Sequence, residues 1–94
     1  MQKKTVFLLQ DTKMANEELL EKFSGDERFS VLGEETAGDK GILQILRLKP
    51  DVVICEIVLT ECDGFKVMEM VRKENSSIKF IVLSFLHLLR RIER

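Results

Sequence analysis

Glu56 is the residue of this chain best placed to do chemistry. It follows an apolar run at residues 52–55, and a helical pattern opens at Asp63 and Gly64 shortly after it. A continuous apolar run of this length is typical of a strand that is buried on both faces of a sheet. Open α/β sheets place their ligand sites at the carboxyl ends of such strands. The sequence therefore predicts a polar functional site around the Glu56 carboxylate.

Three other polar residues follow predicted strands in the same way. Gln10 and Asp11 come after the first apolar run of the chain, and Ser84 comes after the last strand-like run. The carboxyl ends of parallel strands meet at one edge of a sheet. We therefore expect Asp11 and Glu56 to approach each other there, with Ser84 one strand further along. The predicted site is thus assembled from separate strands.

The elements that must position these residues alternate strictly between strand and helix. Such alternation predicts a parallel sheet with helices on both faces and right-handed crossovers. The second strand alternates apolar with polar residues, which indicates an edge, so we predict the strand order 2-1-3-4. The strands are expected at residues 6–9, 29–33, 52–56 and 80–83, and the helices from residue 14, around residues 42–48, after Asp63 and over residues 85–94.

Composition indicates one small domain spanning residues 1–94. Fifteen basic and sixteen acidic residues leave a formal net charge of −1, which favours neither nucleic acid nor an anionic membrane. The longest apolar stretch, residues 78–89, is too short and too polar to span a bilayer. Two cysteines offer neither metal spacing nor a disulfide framework. A cytoplasmic, reducing location is therefore expected.

In order and spacing, these landmarks resemble the receiver domains of two-component response regulators. The resemblance runs from about Thr5 to Ser84 and includes the loop that leads into Asp63 and Gly64. Residues 29–33 are similar to those of sporulation-type regulators. The resemblance implies an α/β fold with a flavodoxin-like (CheY-like) doubly wound parallel sheet. The fifth strand and the fifth helix of that fold have no counterpart in this chain.

The resemblance also implies a chemistry. In receivers a histidine kinase transfers a phosphoryl group to an aspartate that ends strand three, and an acidic pair after strand one holds Mg²⁺. A hydroxyl after strand four and a lysine after strand five then contact the phosphoryl group. In this chain the phosphoacceptor position is Glu56, Gln10 replaces the first acid, Asp11 keeps the second, and Ser84 keeps the hydroxyl. The lysine has no counterpart.

Glu56 is longer than aspartate by one methylene, so its carboxylate reaches about 1.5 Å further. In-line transfer and Mg²⁺ binding tolerate little misplacement. We therefore predict an atypical, non-enzymatic receiver that acts in phosphorelay signalling by protein–protein contact. Glu56 then serves as a weak phosphoryl mimic or is only a remnant of the site. The expected partners are a kinase or an output domain, such as a transcription regulator, with no direct contact to nucleic acid or membrane.

Two other functions stay open from the sequence. Asp11, Glu56 and the Val58 carbonyl are candidate ligands for a residual Mg²⁺, and a metal-dependent receiver could accept phosphate on another carboxylate such as Asp11. Alternatively, the same edge of a flavodoxin-like sheet could bind a small molecule or a nucleotide.

The segment after strand four has a pattern of its own. Residues 85–94 place apolar side chains on one face of a predicted helix and arginines on the other. Strand four has an open edge unless something covers it. We therefore predict a homodimer through the strand-four edge and this helix. The chain is equally consistent with the N-terminal fragment of a longer regulator.

Overall fold

The computed structural model describes residues 2–83, in which four strands alternate with three helices. Ser84 and the helix predicted over residues 85–94 lie outside this range. The elements are β1 (Lys4–Leu9), α1 (Lys13–Phe23), β2 (Phe29–Glu35), α2 (Gly38–Leu48), β3 (Val52–Glu56), α3 (Gly64–Glu74) and β4 (Lys79–Leu83).

The four strands form one parallel sheet in the order β2-β1-β3-β4. This confirms the order predicted from the edge-like pattern of the second strand. Leu9 at the end of β1 is paired with Cys55 in β3, and Glu56 at the end of β3 is paired with Leu83 in β4. The register therefore brings the carboxyl ends of β1, β3 and β4 to one edge of the sheet.

Alternate residues of the central strands enter two separate cores. In β1, Phe7 and Leu9 face the core beneath α2 and α3, whereas Val6 and Leu8 face the side that α1 covers. This two-sided burial explains why β1 and β3 are almost continuously apolar in sequence. The first core contains Phe7, Leu9, Ile42, Ile45, Val53, Cys55, Val67, Val71 and Ile78, and the second contains Val6, Leu8 and Ile54 with Leu19, Phe23, Phe29 and Val31 packed against them.

The helices that begin at the carboxyl edge are capped there by nearby side chains. Thr12 Oγ1 accepts a hydrogen bond from Ala15 N at 3.1 Å, so Thr12 rather than Asp11 caps α1. Asp63 Oδ1 accepts from Lys66 N at 2.9 Å and so caps α3. Among the described residues, no helix is both long and apolar enough to cross a membrane.

At the opposite edge, Asp51 ties the starting ends of β1 and β3 together. Its Oδ2 accepts from Thr5 N at 2.8 Å and from Thr5 Oγ1 at 3.0 Å. Its main-chain N–H donates to Thr5 Oγ1 at 2.9 Å. Hydrogen bonds to the carboxylate lower the pKa of Asp51 below its ordinary value. This cluster fixes the register that places Gln10 and Glu56 at the far end of the strands.

Candidate functional site

Gln10 and Glu56 lie at the ends of neighbouring strands and are both buried. Gln10 directly follows β1 and is 3% exposed, and Glu56 ends β3 and is 9% exposed. Asp11, the next residue in the chain, is exposed to solvent. The structure therefore brings Gln10, the amide of the pair, and Glu56, the predicted phosphoacceptor-equivalent residue, to the same edge, whereas the predicted approach of Asp11 to Glu56 stays a prediction. The second acid of the pair stays at the surface.

The Gln10 carboxamide joins the two central strands. Its Nε2 donates to the carbonyl oxygens of Leu9 at 3.1 Å and Ile54 at 3.2 Å. An amide can do this because it carries two N–H donors, whereas an ionised carboxylate at the same place only accepts hydrogen bonds. From the sequence, this position was interpreted only as the loss of an acid. Its structural role became visible once the Ile54 carbonyl was placed beside it.

The Glu56 carboxylate turns back onto its own main chain. Glu56 Oε1 accepts from Ile57 N at 3.0 Å, and the same N–H also donates to Leu83 O at 3.1 Å. This shared hydrogen bond compensates the partly desolvated carboxylate. One of the two Glu56 oxygens is therefore engaged without any cation or phosphoryl group.

The loop between β3 and α3 closes tightly beneath the site. Gly64 N donates to Ile57 O at 2.7 Å, so the loop begins and ends at neighbouring positions. A Cβ atom on Gly64 would collide with the Glu56 carbonyl oxygen. Gly64 therefore permits close backbone approach in the first turn of α3. The Val58 side chain, between these two ends, is 67% exposed.

The tip of this loop is anchored to the start of α2. Thr60 O accepts from Gly38 N at 3.1 Å and from Cys62 N at 2.8 Å, and Thr60 forms a parallel bridge with Ala37. A Cβ atom on Gly38 would collide with the Cys62 carbonyl oxygen. Glu61 has the left-handed backbone conformation, with φ at 71°, that this turn requires. The conformation of the loop therefore depends on α2 as well as on β3.

Glu35, at the end of β2, is a polar residue of this edge that sequence reasoning missed. Its Oε2 accepts from Thr36 N at 2.9 Å and from Ala37 N at 3.2 Å, and its Oε1 accepts from Gln44 Nε2 at 2.6 Å. Burial by itself raises the pKa of the Glu35 carboxyl, but these three hydrogen bonds outweigh it and lower the pKa overall. Glu35 therefore stabilises the start of α2.

Glu35 also connects this corner of the sheet to β1 through its main chain. The Glu35 carbonyl accepts from Gln10 N at 3.3 Å and from Asn16 Nδ2 at 3.0 Å. The Asn16 side chain is 1% exposed, and its Oδ1 has no hydrogen-bond partner among the described residues. The alternation of apolar and polar residues in β2 gave no signal for these contacts. Such a pattern predicts which side chains are exposed but not which atoms they bind.

Neither cysteine has the features of a nucleophile. Cys55 is fully buried in β3, and this burial, with the nearby Glu56 charge, raises the pKa of its thiol to about 12. Burial also raises the pKa of Cys62, the partly buried cysteine of the loop. Both residues therefore contribute to packing.

The donor set fits a divalent cation poorly. Within residues 2–83, no group of three or more His, Cys, Asp and Glu side chains is arranged to hold a metal ion. The Gln10 amide directs its N–H groups at the carbonyl oxygens, and one Glu56 oxygen is already engaged. Mg²⁺ takes oxygen ligands in a near-ideal octahedron. The set predicted from Asp11, Glu56 and the Val58 carbonyl stays a prediction.

Comparison with known proteins identifies relatives along most of the chain. Residues 6–90 match the family model of the response regulator receiver domain. The transcriptional regulatory protein LiaR of Bacillus subtilis is 29% identical over 79 residues, which cover 84% of this chain and 37% of LiaR. The protein-glutamate methylesterase/protein-glutamine glutaminase 3 of Geobacter sulfurreducens is 30% identical over 84 residues, or 89% of this chain and 22% of that protein. The chain thus spans less than two-fifths of the length of these curated relatives.

Solved structures share the fold at lower sequence identity. The receiver domain of AraT from Geobacillus stearothermophilus superposes with a TM-score of 0.83 at 20% identity, covering 98% of this chain and 73% of that one. The response regulator domain of CheB from Thermotoga maritima gives a TM-score of 0.83 at 19% identity, covering 88% of this chain and 61% of that one. These likenesses support the fold independently of the family match.

Proposed function

The chain belongs to the response regulator receiver domain family, and on that premise we propose that it is an atypical receiver that works by protein contact. In this proposal the domain signals through a histidine kinase or an output domain without accepting a phosphoryl group. Glu56 stands at the phosphoacceptor position as a fixed, singly charged carboxylate. A phosphoryl group would bring nearly two charges and three acceptor oxygens, so any mimicry by Glu56 is weak.

The observation that carries this proposal is the way Gln10 and Glu56 are satisfied by the chain itself. Gln10 donates to two carbonyl oxygens, and Glu56 accepts from the next main-chain N–H. Phosphoryl transfer needs a free, aligned attacking oxygen and a cation that offsets the charge developing on the phosphoryl oxygens. The Gln10 amide directs its N–H groups at carbonyl oxygens, and a main-chain N–H already holds one of the two Glu56 oxygens, which supports a site that no longer accepts phosphate.

Exposed apolar side chains near the same edge support a role in protein contact. Met14 lies in the first turn of α1 and is 69% exposed, and Phe65 lies in the first turn of α3 and is 55% exposed. Val58, in the loop between β3 and α3, is 67% exposed. Helices of this fold begin where strands end, so all three residues flank the carboxyl edge. Exposed apolar patches mark contact sites, and these three side chains are the candidates for such a patch at this edge.

The partner classes follow from the relatives. LiaR is named as a transcriptional regulatory protein, and the Geobacter protein is named as a methylesterase and glutaminase. In both, this chain corresponds to a minor part of the length. We therefore assign contact with an output domain to this chain, together with a cytoplasmic location and no catalysis of its own. The predicted contact between two copies belongs to the same proposal.

Treatment with acetyl phosphate and Mg²⁺, followed by intact-mass spectrometry, tests the proposal. The expected result is no added phosphoryl mass, while a receiver domain with an aspartate at this position gains it under the same conditions. Added mass that peptide mapping assigns to Glu56 would contradict the proposal. Mass assigned to Asp11 would instead support the alternative of a metal-dependent phosphoacceptor that uses another carboxylate.

A small-molecule binding function has no specific support from the described part of the chain. The groove lined by Phe23 and Phe29 lies where α1 ends and β2 begins. Because β2 runs parallel to β1, this groove lies at the amino ends of the strands, whereas Gln10 and Glu56 lie at their carboxyl ends. This groove therefore gives no support to ligand binding at the edge that carries Gln10 and Glu56.

A further inference from the structure

Three consecutive main-chain N–H groups connect Glu35 to the loop between β3 and α3. Those of Thr36 and Ala37 donate to Glu35 Oε2, and that of Gly38 donates to Thr60 O in the loop. Ala37, the residue before α2, has no side-chain acceptor of its own, so the Glu35 carboxylate supplies the acceptor that a capping side chain would supply. The direction of the Gly38 N–H therefore follows from the two N–H groups that Glu35 holds.

The main chain of Glu35 reaches the other side of Glu56. Its carbonyl oxygen accepts from Gln10 N at 3.3 Å, and Gln10 Nε2 in turn donates to Ile54 O at 3.2 Å. Ile54 lies two residues before Glu56 in β3, and the loop that contains Thr60 follows Glu56 directly. Hydrogen bonds thus connect Glu35 to the chain on both sides of Glu56.

A buried amide of α1 also holds Glu35. Asn16 is 1% exposed, and its Nδ2 donates to the Glu35 carbonyl oxygen at 3.0 Å, whereas its Oδ1 has no hydrogen-bond partner within residues 2–83. Leu19 and Phe23, further along α1, are apolar and pack against the core on this side of the sheet. A buried polar group with an unsatisfied atom costs free energy. The contact with Glu35 accounts for an amide at this position.

We propose that Glu35 is a positioning residue that couples Gln10 to the loop between β3 and α3, so that a change at Glu35 moves both. The loop carries Val58, one of the exposed apolar side chains assigned above to protein contact. Glu35 therefore sets the shape of that contact surface. This last step rests on the proposed function. The coupling itself goes beyond it, because it holds whether or not Glu56 accepts a phosphoryl group.

Two NMR signals report on the two ends of the coupling. One is the scalar coupling between Gly38 N and the Thr60 carbonyl carbon, which vanishes when the hydrogen bond between them lengthens. The other is the pair of side-chain NH₂ resonances of Gln10, whose Nε2 donates to carbonyl oxygens. Both are measured in the folded protein, so a variant that is only less stable leaves them unchanged. The scalar coupling between Lys79 N and the Asp51 carbonyl carbon, at the amino ends of the strands, serves as a reference.

Glu35→Ala is expected to abolish the Gly38–Thr60 scalar coupling and to shift the Gln10 resonances, while the reference coupling is kept. Gln44→Ala is a milder variant, because it removes one of the three hydrogen bonds to the Glu35 carboxylate and leaves the other two. It is expected to change the same two signals in the same direction by a smaller amount.

Three further variants serve as controls. Glu35→Gln is expected to keep both signals, because its amide oxygen accepts from the two main-chain N–H groups while Gln44 turns its own oxygen toward the new NH₂ group. Glu34→Ala changes the neighbouring acid of β2, and Leu43→Ala changes an exposed residue beside Gln44. Both are expected to leave the two signals as in the wild type. Circular dichroism verifies that each variant is folded.

An unchanged Gly38–Thr60 coupling in Glu35→Ala would overturn the proposal, and so would a change in only one of the two signals. Loss of the reference coupling as well would mean that Glu35 supports the whole fold and does not position this edge in particular. If Glu35→Ala does not fold, Gln44→Ala decides by the same two signals. None of these results depends on phosphoryl mass at Glu56, so the two proposals fail separately.

Discussion

The Gln10 carboxamide lies 3.2 Å from the Ile54 carbonyl oxygen and joins the ends of the two central strands. Both residues are buried, so this hydrogen bond forms in a setting where water is not an easy substitute. At a position where the receivers it resembles carry an acid, this chain carries a donor that stabilises the sheet. The polar edge has thus become part of the scaffold.

Gln10→Ala is expected to lower the free energy of unfolding by about 1–3 kcal/mol, because it leaves the Ile54 carbonyl oxygen without its amide donor. Urea unfolding followed by circular dichroism measures the change. Gln2→Ala, at an exposed position outside the strands, is the control and leaves the stability unchanged. Equal stability of Gln10→Ala and the wild type would show that the amide contact contributes nothing to the sheet.

Restoring the aspartate alone is expected not to restore phosphorylation. In Glu56→Asp the Gln10 amide still occupies the site, so Mg²⁺ lacks its second acid and acetyl phosphate adds no mass. Glu56→Asp combined with Gln10→Asp supplies a shorter attacking carboxylate and a second metal ligand, and we expect this double variant to be phosphorylated. Intact-mass spectrometry distinguishes the variants. Full phosphorylation of the single Glu56→Asp variant would mean that Gln10 does not block the site.

Gly38→Ala is expected to lower the free energy of unfolding by about 1–3 kcal/mol, because its Cβ collides with the Cys62 carbonyl oxygen and pushes the loop away from α2. Thermal unfolding measures the change in stability. Ala37→Gly, at the preceding residue, is a control that keeps the space open and affects only chain flexibility. Hydrogen exchange of the Gly38 and Cys62 amides, both bound to Thr60 O, is expected to accelerate in Gly38→Ala alone. Unchanged hydrogen exchange of these two amides would show that the loop does not depend on its contact with α2.

Stability is expected to fall in acid through Glu35 and Asp51. Hydrogen bonds lower the pKa of both carboxyl groups in the folded state, so each group stabilises the fold above its unfolded pKa of about 4 and loses that contribution as the pH falls through its lower folded value. Urea unfolding from pH 7 down to about pH 2 should therefore show a plateau and then a decline.

Asp51→Asn separates the contributions. It removes one titrating group, so the variant is less stable at neutral pH and its decline in acid is shallower than that of the wild type. Asp39→Asn, at an exposed residue of α2, serves as the control. A decline of the same steepness in Asp51→Asn and the wild type would exclude Asp51 as a source of the pH dependence.

The sequence determined the architecture because its main signals are local. The apolar runs that became β1 and β3 are buried on both faces, and the alternation of β2 marks an edge, so the order of the four strands followed from periodicity and chain connectivity. The caps at Thr12 and Asp63 are equally local, since each side chain binds an N–H three residues away. The place of Glu56 at the carboxyl edge also followed from the sequence, because Glu56 comes at the end of an apolar strand pattern.

The tertiary structure alone decided what the polar residues do at that edge. Gln10 meets Ile54 across 44 positions of sequence, and Thr60 meets Gly38 across a helix and a strand. Such contacts depend on strand register, side-chain rotamers and the distance between backbone segments. None of these can be read from the spacing of apolar residues in the sequence. Glu35 could equally have been a solvated acid until the start of α2 was placed over it. Periodicity fixes which face a residue takes, but hydrogen bonding is fixed only when distant parts of the chain are packed together.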